Sequence, residues 1–223
     1  MVIYWRYVVI SMNKQIEKEI YNLSNYKDVV KNVNRIDKMI KNSNVNFFDL
    51  FDQILKQNKE ESFLLMTFLV KKRNLYEMEY FNYYEKWLFN YVDSWGKCDA
   101  YCYRVLNPMI EKFAKLYNNI VNWSNSDKVY VRRASLVCFI ISKSDFSVDY
   151  NLDKIFYICE KLKYDKHIHI QKGLGWLLKY TYLTYPEDIE KYLRDNVNIL
   201  SRTTFRYALE KMDSSLRSEL MKL

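Results

Sequence analysis

VYVRRASLVCFIIS, residues 129–142, is the stretch on which the fold reading turns. Its apolar residues recur at three- and four-residue intervals, the period of an amphipathic helix. Its opening, Val131-Arg132-Arg133-Ala134, returns as Ile170-Gln171-Lys172-Gly173 and again as Phe205-Arg206-Tyr207-Ala208. Each copy carries an apolar residue, a polar or basic one, a long polar or basic one, and a small one. Lys172 lies 39 residues after Arg133, and Tyr207 lies 35 after Lys172. Each copy also sits near the start of a helix that follows another helix. HEAT and armadillo repeats stack helix pairs into a curved solenoid with a period of about 40–47 residues. The predicted fold is therefore all-α, an α-solenoid of HEAT-like helical repeats with a concave basic face. The register sets Arg133, Lys172 and Arg206 along one side, with Arg132 beside them and Lys179 one heptad beyond Lys172. Such a row of cations is a track for phosphates; the competing reading is an ordinary solvated helix face.

Composition points the same way. Three Gly and two Pro among 223 residues, none before Gly96, are too few for the turns of a β-rich fold. The balance of 35 basic to 27 acidic residues, net +8, suits an anionic partner without choosing nucleic acid over a membrane surface. Aromatics make up 17 %, with 21 Tyr, offering flat faces to sugars and bases as well as to a core. Cys98, Cys102, Cys138 and Cys159 form no CxxC pair and read as buried free thiols of a reducing compartment. A zinc site from Cys98, Cys102 and His167 or His169 is the other reading, and the spacing disfavours it. The opening MVIYWRYVVISM is too short to span a bilayer, is interrupted by Arg6 and lacks a signal-cleavage site. Residues 1–11 are read as an appendage or an early start, 12–223 as a single domain, and the protein as cytoplasmic.

Punctuation divides the chain into short helices. The N-terminal candidates cover about 12–23, 26–41, 47–57, 60–72 and 77–93. Asn107-Pro108 reads as an N-cap with proline at the first helical position. Asp127 is expected to cap 129–142, and Asn151 to cap 152–163. Pro186 opens a helix with Glu187 and Asp188 in its first turn, and Ser201 or Thr203 opens FRYALEKM, 205–212.

WSNSDKVYVRRASLVCFIIS (123–142), HIQKGLGWLLKY (169–180) and SRTTFRYALEKM (201–212) together resemble the AlkD-type DNA alkylation-repair glycosylases. Upstream, NYVDSWGKCDAYCYRV (90–105) resembles the family segment with a Trp and an Asp four residues apart, in the branch with a Trp-x-x-Cys-Asp pattern. The order and spacing of the four segments agree, over roughly residues 80–223. The resemblance implies a HEAT-like solenoid and hydrolysis of the N-glycosidic bond of alkylated purines in double-stranded DNA. It implies no metal or organic cofactor, and a monomer is expected. By position, Trp95 and Asp99 match the family's catalytic pair, Trp176 its second cleft aromatic, and Arg133 its phosphate-binding arginine. The family's aromatic, Phe-Pro-rich N-terminal segment has no match among residues 1–80.

The chemistry suits these residues. Trp95 and Asp99, at i and i+4, project from one helix face. Glycosidic cleavage develops positive charge on the sugar, and an ordinary glycosidase needs a second carboxyl to protonate the leaving group. A purine alkylated at N3 or N7 is already cationic, so one carboxylate suffices to stabilise the sugar cation and orient or activate water. Asp99 must be ionised, and a nearby Arg or Lys is expected to hold its pKa low. Trp95 and Trp176 would grip the sugar–phosphate segment, with Arg133 and Lys172 on its phosphates. Two rivals stand beside this reading: an inactive HEAT-repeat module that binds DNA or scaffolds proteins, and another enzyme using the Cys/His set.

Overall fold

The computed structural model describes residues 13–142 and 145–223, so the reading of 1–11 as an appendage lies outside the described residues. The chain divides into two compact units, one ending at Asp93 and one running Ser94–Leu223. Both are helical; the described strand content is one two-residue antiparallel pair.

The first unit contains α1 (13–21), α2 (Tyr26–Asn42), α3 (Phe47–Ile54), α4 (Glu60–Arg73) and α5 (Phe81–Tyr91). Helix α4 is buried round most of its circumference by Phe63, Leu64, Leu65, Met66, Leu69 and Val70. Its charge sits at its ends: Glu60 and Glu61 in the first turn and Lys71, Lys72 and Arg73 in the last, matching the helix dipole. With no glycine available here, asparagine makes the tight turns. Asn44, Asn58 and Asn74 have φ of 55°, 51° and 53°, the left-handed region that Asn tolerates better than other non-glycine residues. Asn74 ends α4, a position where glycine is usual.

The second unit begins with α6 (Trp95–Tyr101) and α7 (Asn107–Lys112), joined without a break by a π-helical turn, Cys102–Leu106. Asn107 was expected to cap a new helix. It is instead helical itself (φ −59°, ψ −50°), and its N–H bonds to the Cys102 carbonyl across the π turn. Pro108 explains this: it lacks an N–H and its ring crowds the carbonyl four residues back, which the wider π turn accommodates. The freed Asn107 side chain donates to the Cys138 carbonyl at 2.9 Å.

There follow α8 (Tyr117–Trp123), α9 (Val129–Val137), the pair Ile141–Ser142 with Phe146–Ser147, α10 (Leu152–Leu162), α11 (Ile168–Thr181), α12 (Pro186–Asp195), α13 (Arg202–Ala208) and α14 (Ser214–Leu220). Asp127 does not cap α9; Lys128 holds the N-cap position without a side-chain bond. Helix α9 also stops at Val137 rather than running to Ser142. Phe139, Ile140 and Ile141 are buried where the chain turns and then enters the short strand Ile141–Ser142, which a β-branched residue suits. The other expected starts form: Asn151 accepts from the Lys154 N–H, Ser201 from the Thr204 N–H, and Pro186 opens α12.

Helix α11 packs between α9 and α13, and α6 packs on α9. The hydrogen bonds tying these helices and their outer neighbours together recur at a near-constant interval. Cys98 reaches Tyr130 (32 residues on), Arg132 reaches Asp165 (33), and Tyr185 reaches back to Tyr150 (35). The longest of these intervals equals the shorter sequence offset, 35 residues, while the 39-residue offset exceeds all three. Gly175 sets the tightest approach: a Cβ there would lie 2.5 Å from the Thr204 carbonyl oxygen and 2.6 Å from the Tyr207 Cβ. No described helix is long and apolar enough to cross a membrane.

Candidate active site

A cavity of about 370 Å³ opens in the second unit where α6, α9, α11 and α13 meet. It brings together six of the residues singled out in the sequence: Trp95, Asp99, Arg133, Lys172, Trp176 and Lys179. Ser94 starts α6 by accepting from the Lys97 N–H, which puts Trp95 in the first turn and Asp99 one turn deeper. Trp95 stands at the rim, 59 % exposed, and Asp99 lies at the floor, 7 % exposed.

Asp99 and Arg133 form a buried bidentate pair. Arg133 Nε donates to Oδ1 and Nη2 to Oδ2, both at 2.9 Å, while Nη1 donates to the His169 carbonyl at 2.6 Å. The fork thus spans three elements, joining α6 to the start of α11. Gly173 makes room for it, since a Cβ there would stand 3.2 Å from Arg133 Nη1. The electrostatic outcome differs from the expectation. Burial pushes the Asp99 carboxyl above the usual carboxylate range, and Arg133 opposes this shift without cancelling it.

Helix α11 supplies one wall through a single stripe: His169, Lys172, Trp176, Lys179 and Tyr180. The Trp176 ring is held edge-on by Tyr103 and Phe146, with centroids 5.9 and 5.7 Å away, and the Arg133 guanidinium carbon lies 5.9 Å from its centre. Lys172 extends over the Tyr207 ring at 5.9 Å and has no carboxylate partner among the described residues. Lys179 differs, being paired with Glu210 at 2.7 Å.

Two expected members lie elsewhere. Arg132 points away from the cavity: its Nε bonds Asp165 at 2.8 Å and its Nη1 bonds the Ser126 and Asp127 carbonyls, fastening the turn before α9. Arg206 is exposed and does not line the cavity; Tyr207 does. The expected place of Arg206 in the row is thus corrected: the third position of the three copies is held by Arg133, Lys172 and Tyr207, and Arg206 lies one residue earlier. Sequence reasoning also passed over His169 and Tyr180 as site members. Their signal was there in the α11 stripe, since His169 precedes Lys172 by three residues and Tyr180 follows Trp176 by four. Burial and the nearby Arg133, His167 and Lys172 hold the His169 imidazole below the usual histidine range. The four cysteines are buried free thiols. Among the described residues no three His, Cys, Asp or Glu side chains converge as metal ligands.

A carboxylate clamped by a guanidinium, flanked by tryptophans and lysines in an open cavity, can oppose a developing cation while holding an anionic chain nearby. The sequence model of the family described as DNA alkylation repair enzyme matches residues 24–212. The match starts at residue 24, well upstream of residue 80, and so takes in most of the first unit, where the sequence segments showed no resemblance. No curated protein matches the chain. The matched span covers most of the sequence, and this chain belongs to the DNA alkylation repair enzyme family.

Proposed function

We propose that this protein is a DNA glycosylase that hydrolyses the N-glycosidic bond of cationic, N3- or N7-alkylated purines in double-stranded DNA. The observation that carries the reading is the Asp99–Arg133 pair at the floor of a cavity framed by Trp95 and Trp176. As the C1′–N bond lengthens, positive charge grows on the sugar, and the Asp99 carboxylate opposes it. The alkylated base leaves with the bonding electrons as a neutral molecule, so no acid has to protonate it. Trp95 and Trp176 flank the sugar and favour its cationic form through their ring faces.

Arg133 serves first to hold Asp99 in place and in its charged form. The phosphate contact falls mainly to Lys172, whose charge is unspent on any described carboxylate, and secondarily to Lys179, which shares its charge with Glu210. Arg206 would reach phosphates farther along the strand, while Arg132 is committed to its own turn. In this reading the helix pairs of the second unit stack as HEAT-like repeats, with the cavity on their concave, basic side.

The purified protein is expected to release 7-methylguanine or 3-methyladenine from methylated duplex DNA in the presence of a chelator. Asp99→Asn should lower release by at least about 100-fold while duplex binding persists. Equal release by the variant removes Asp99 from the chemistry. No release from several alkylated substrates, with binding intact, turns the reading to a non-catalytic DNA-binding module.

A further inference from the structure

The Asp99 carboxylate is poorly disposed to take a proton from water. Both of its oxygens accept from Arg133, at 2.9 Å each, so one lone pair of each is taken and protonating either would weaken the clamp. Hydrolysis nonetheless needs a proton acceptor, because the attacking water must lose one proton as it becomes the C1′ hydroxyl. His169 lines the same cavity from the first turn of α11. Its backbone is fixed at both ends: its N–H donates to His167 Nδ1 at 3.2 Å, and its carbonyl accepts from Arg133 at 2.6 Å. Its ring packs beside Tyr130 and His167, centroids 5.5 Å away in each case, and its ring nitrogens have no partner among the described residues. The backbone bond from Arg133 therefore ties an unengaged imidazole to the guanidinium that holds the carboxylate.

We infer that His169 is the general base of this site: it accepts the water proton while Asp99 stabilises the sugar cation. The inference rests on the glycosylase reading above. The step balances: the water oxygen bonds to C1′, the C1′–N pair leaves with the base, and one water proton passes to the imidazole and then to solvent. The groups facing His169 are Asp99 from α6, Tyr130 and Arg133 from α9, Tyr207 from α13, and His167 and Lys172 on its own segment. The cations among them, together with burial, keep the imidazole neutral and able to accept a proton near pH 7.

The test uses the full chain, a duplex holding a single 7-methylguanine, and single-turnover release measured across pH. Wild type should lose rate as pH falls through the His169 titration. His169→Gln should lower the rate about 100-fold, lose that limb, and bind the duplex as wild type does. Added imidazole should restore release to His169→Gly, a rescue that a purely structural role would not permit. A His169→Gln rate within about threefold of wild type, or a rate loss with the pH limb retained and no rescue, overturns the inference. Release by wild type with those outcomes leaves the glycosylase reading standing, whereas no release by wild type overturns both.

Discussion

At the scale of single residues, the site is a contest over one proton. Burial drives Asp99 toward its neutral form, and Arg133 draws it toward the carboxylate. Because its folded-state pKa lies above the unfolded one, the stability this carboxyl contributes is fullest below the unfolded pKa and is lost as pH rises through the folded one. The ionised form, which the proposed reaction requires, therefore exists against a stability gradient that Arg133 limits. Arg133→Ala should destabilise the fold by about 3–5 kcal/mol, because it leaves a buried carboxylate without its partner. Urea unfolding near pH 7 checks this, and a loss below about 1 kcal/mol would show that the pair is not the buried unit described. The acid limb set by Asp99 should emerge in His169→Gln, with its midpoint above the ordinary aspartate value. Trp95, Asp99, Arg133 and Trp176 were legible in the sequence because their neighbours spell recognisable segments. The bond between Asp99 and Arg133 was not, since 34 residues separate them and only the packing of α6 on α9 brings them together.

At the scale of elements, the spacing of helices α11 and α13 is set by a missing side chain. At Gly175 a Cβ would meet backbone, the Thr204 carbonyl oxygen at 2.5 Å, so relief requires moving a helix rather than turning a side chain. Gly175→Ala should cost about 1–3 kcal/mol and displace Tyr207, with a fall in thermal midpoint accompanied by weaker duplex binding. An unchanged midpoint would mean that the two helices part freely. The sequence carried helix existence and most starts well, because caps such as Asn151 and Ser201 act through bonds only three residues long. It misplaced two boundaries where nonlocal geometry decides. Pro108 sits inside a continuous run because the π turn absorbs it, and α9 ends early because its apolar continuation is buried after the chain turns. Periodicity sees burial in both cases and cannot tell which backbone provides it.

At the scale of the whole molecule, the self-comparison and the family match read the chain at different reach. The shortage of glycine and proline and the helical period carried the all-helical reading, which the structure bears out, while the three loose tetrapeptide copies carried the proposed solenoid. In the first unit the five described helices fall within about four residues of the expected bounds, although the turns between them depend on asparagine where glycine is usual. Asn74, at the end of α4 with φ of 53°, isolates that dependence. Asn74→Ala should cost about 1–2 kcal/mol by placing a Cβ in the left-handed region without local compensation. Asn74→Gly should stay within about 1 kcal/mol of wild type, since easier backbone geometry is offset by greater freedom of the unfolded chain. Chemical denaturation of the three proteins side by side decides the matter, and equal stability of the alanine variant would deny the turn its role. Glycine is the residue that most widens the range of shapes open to a denatured chain. A protein that makes these turns with asparagine starts from a narrower range, so part of what keeps it folded is a restriction on its disordered state rather than any contact in its ordered one.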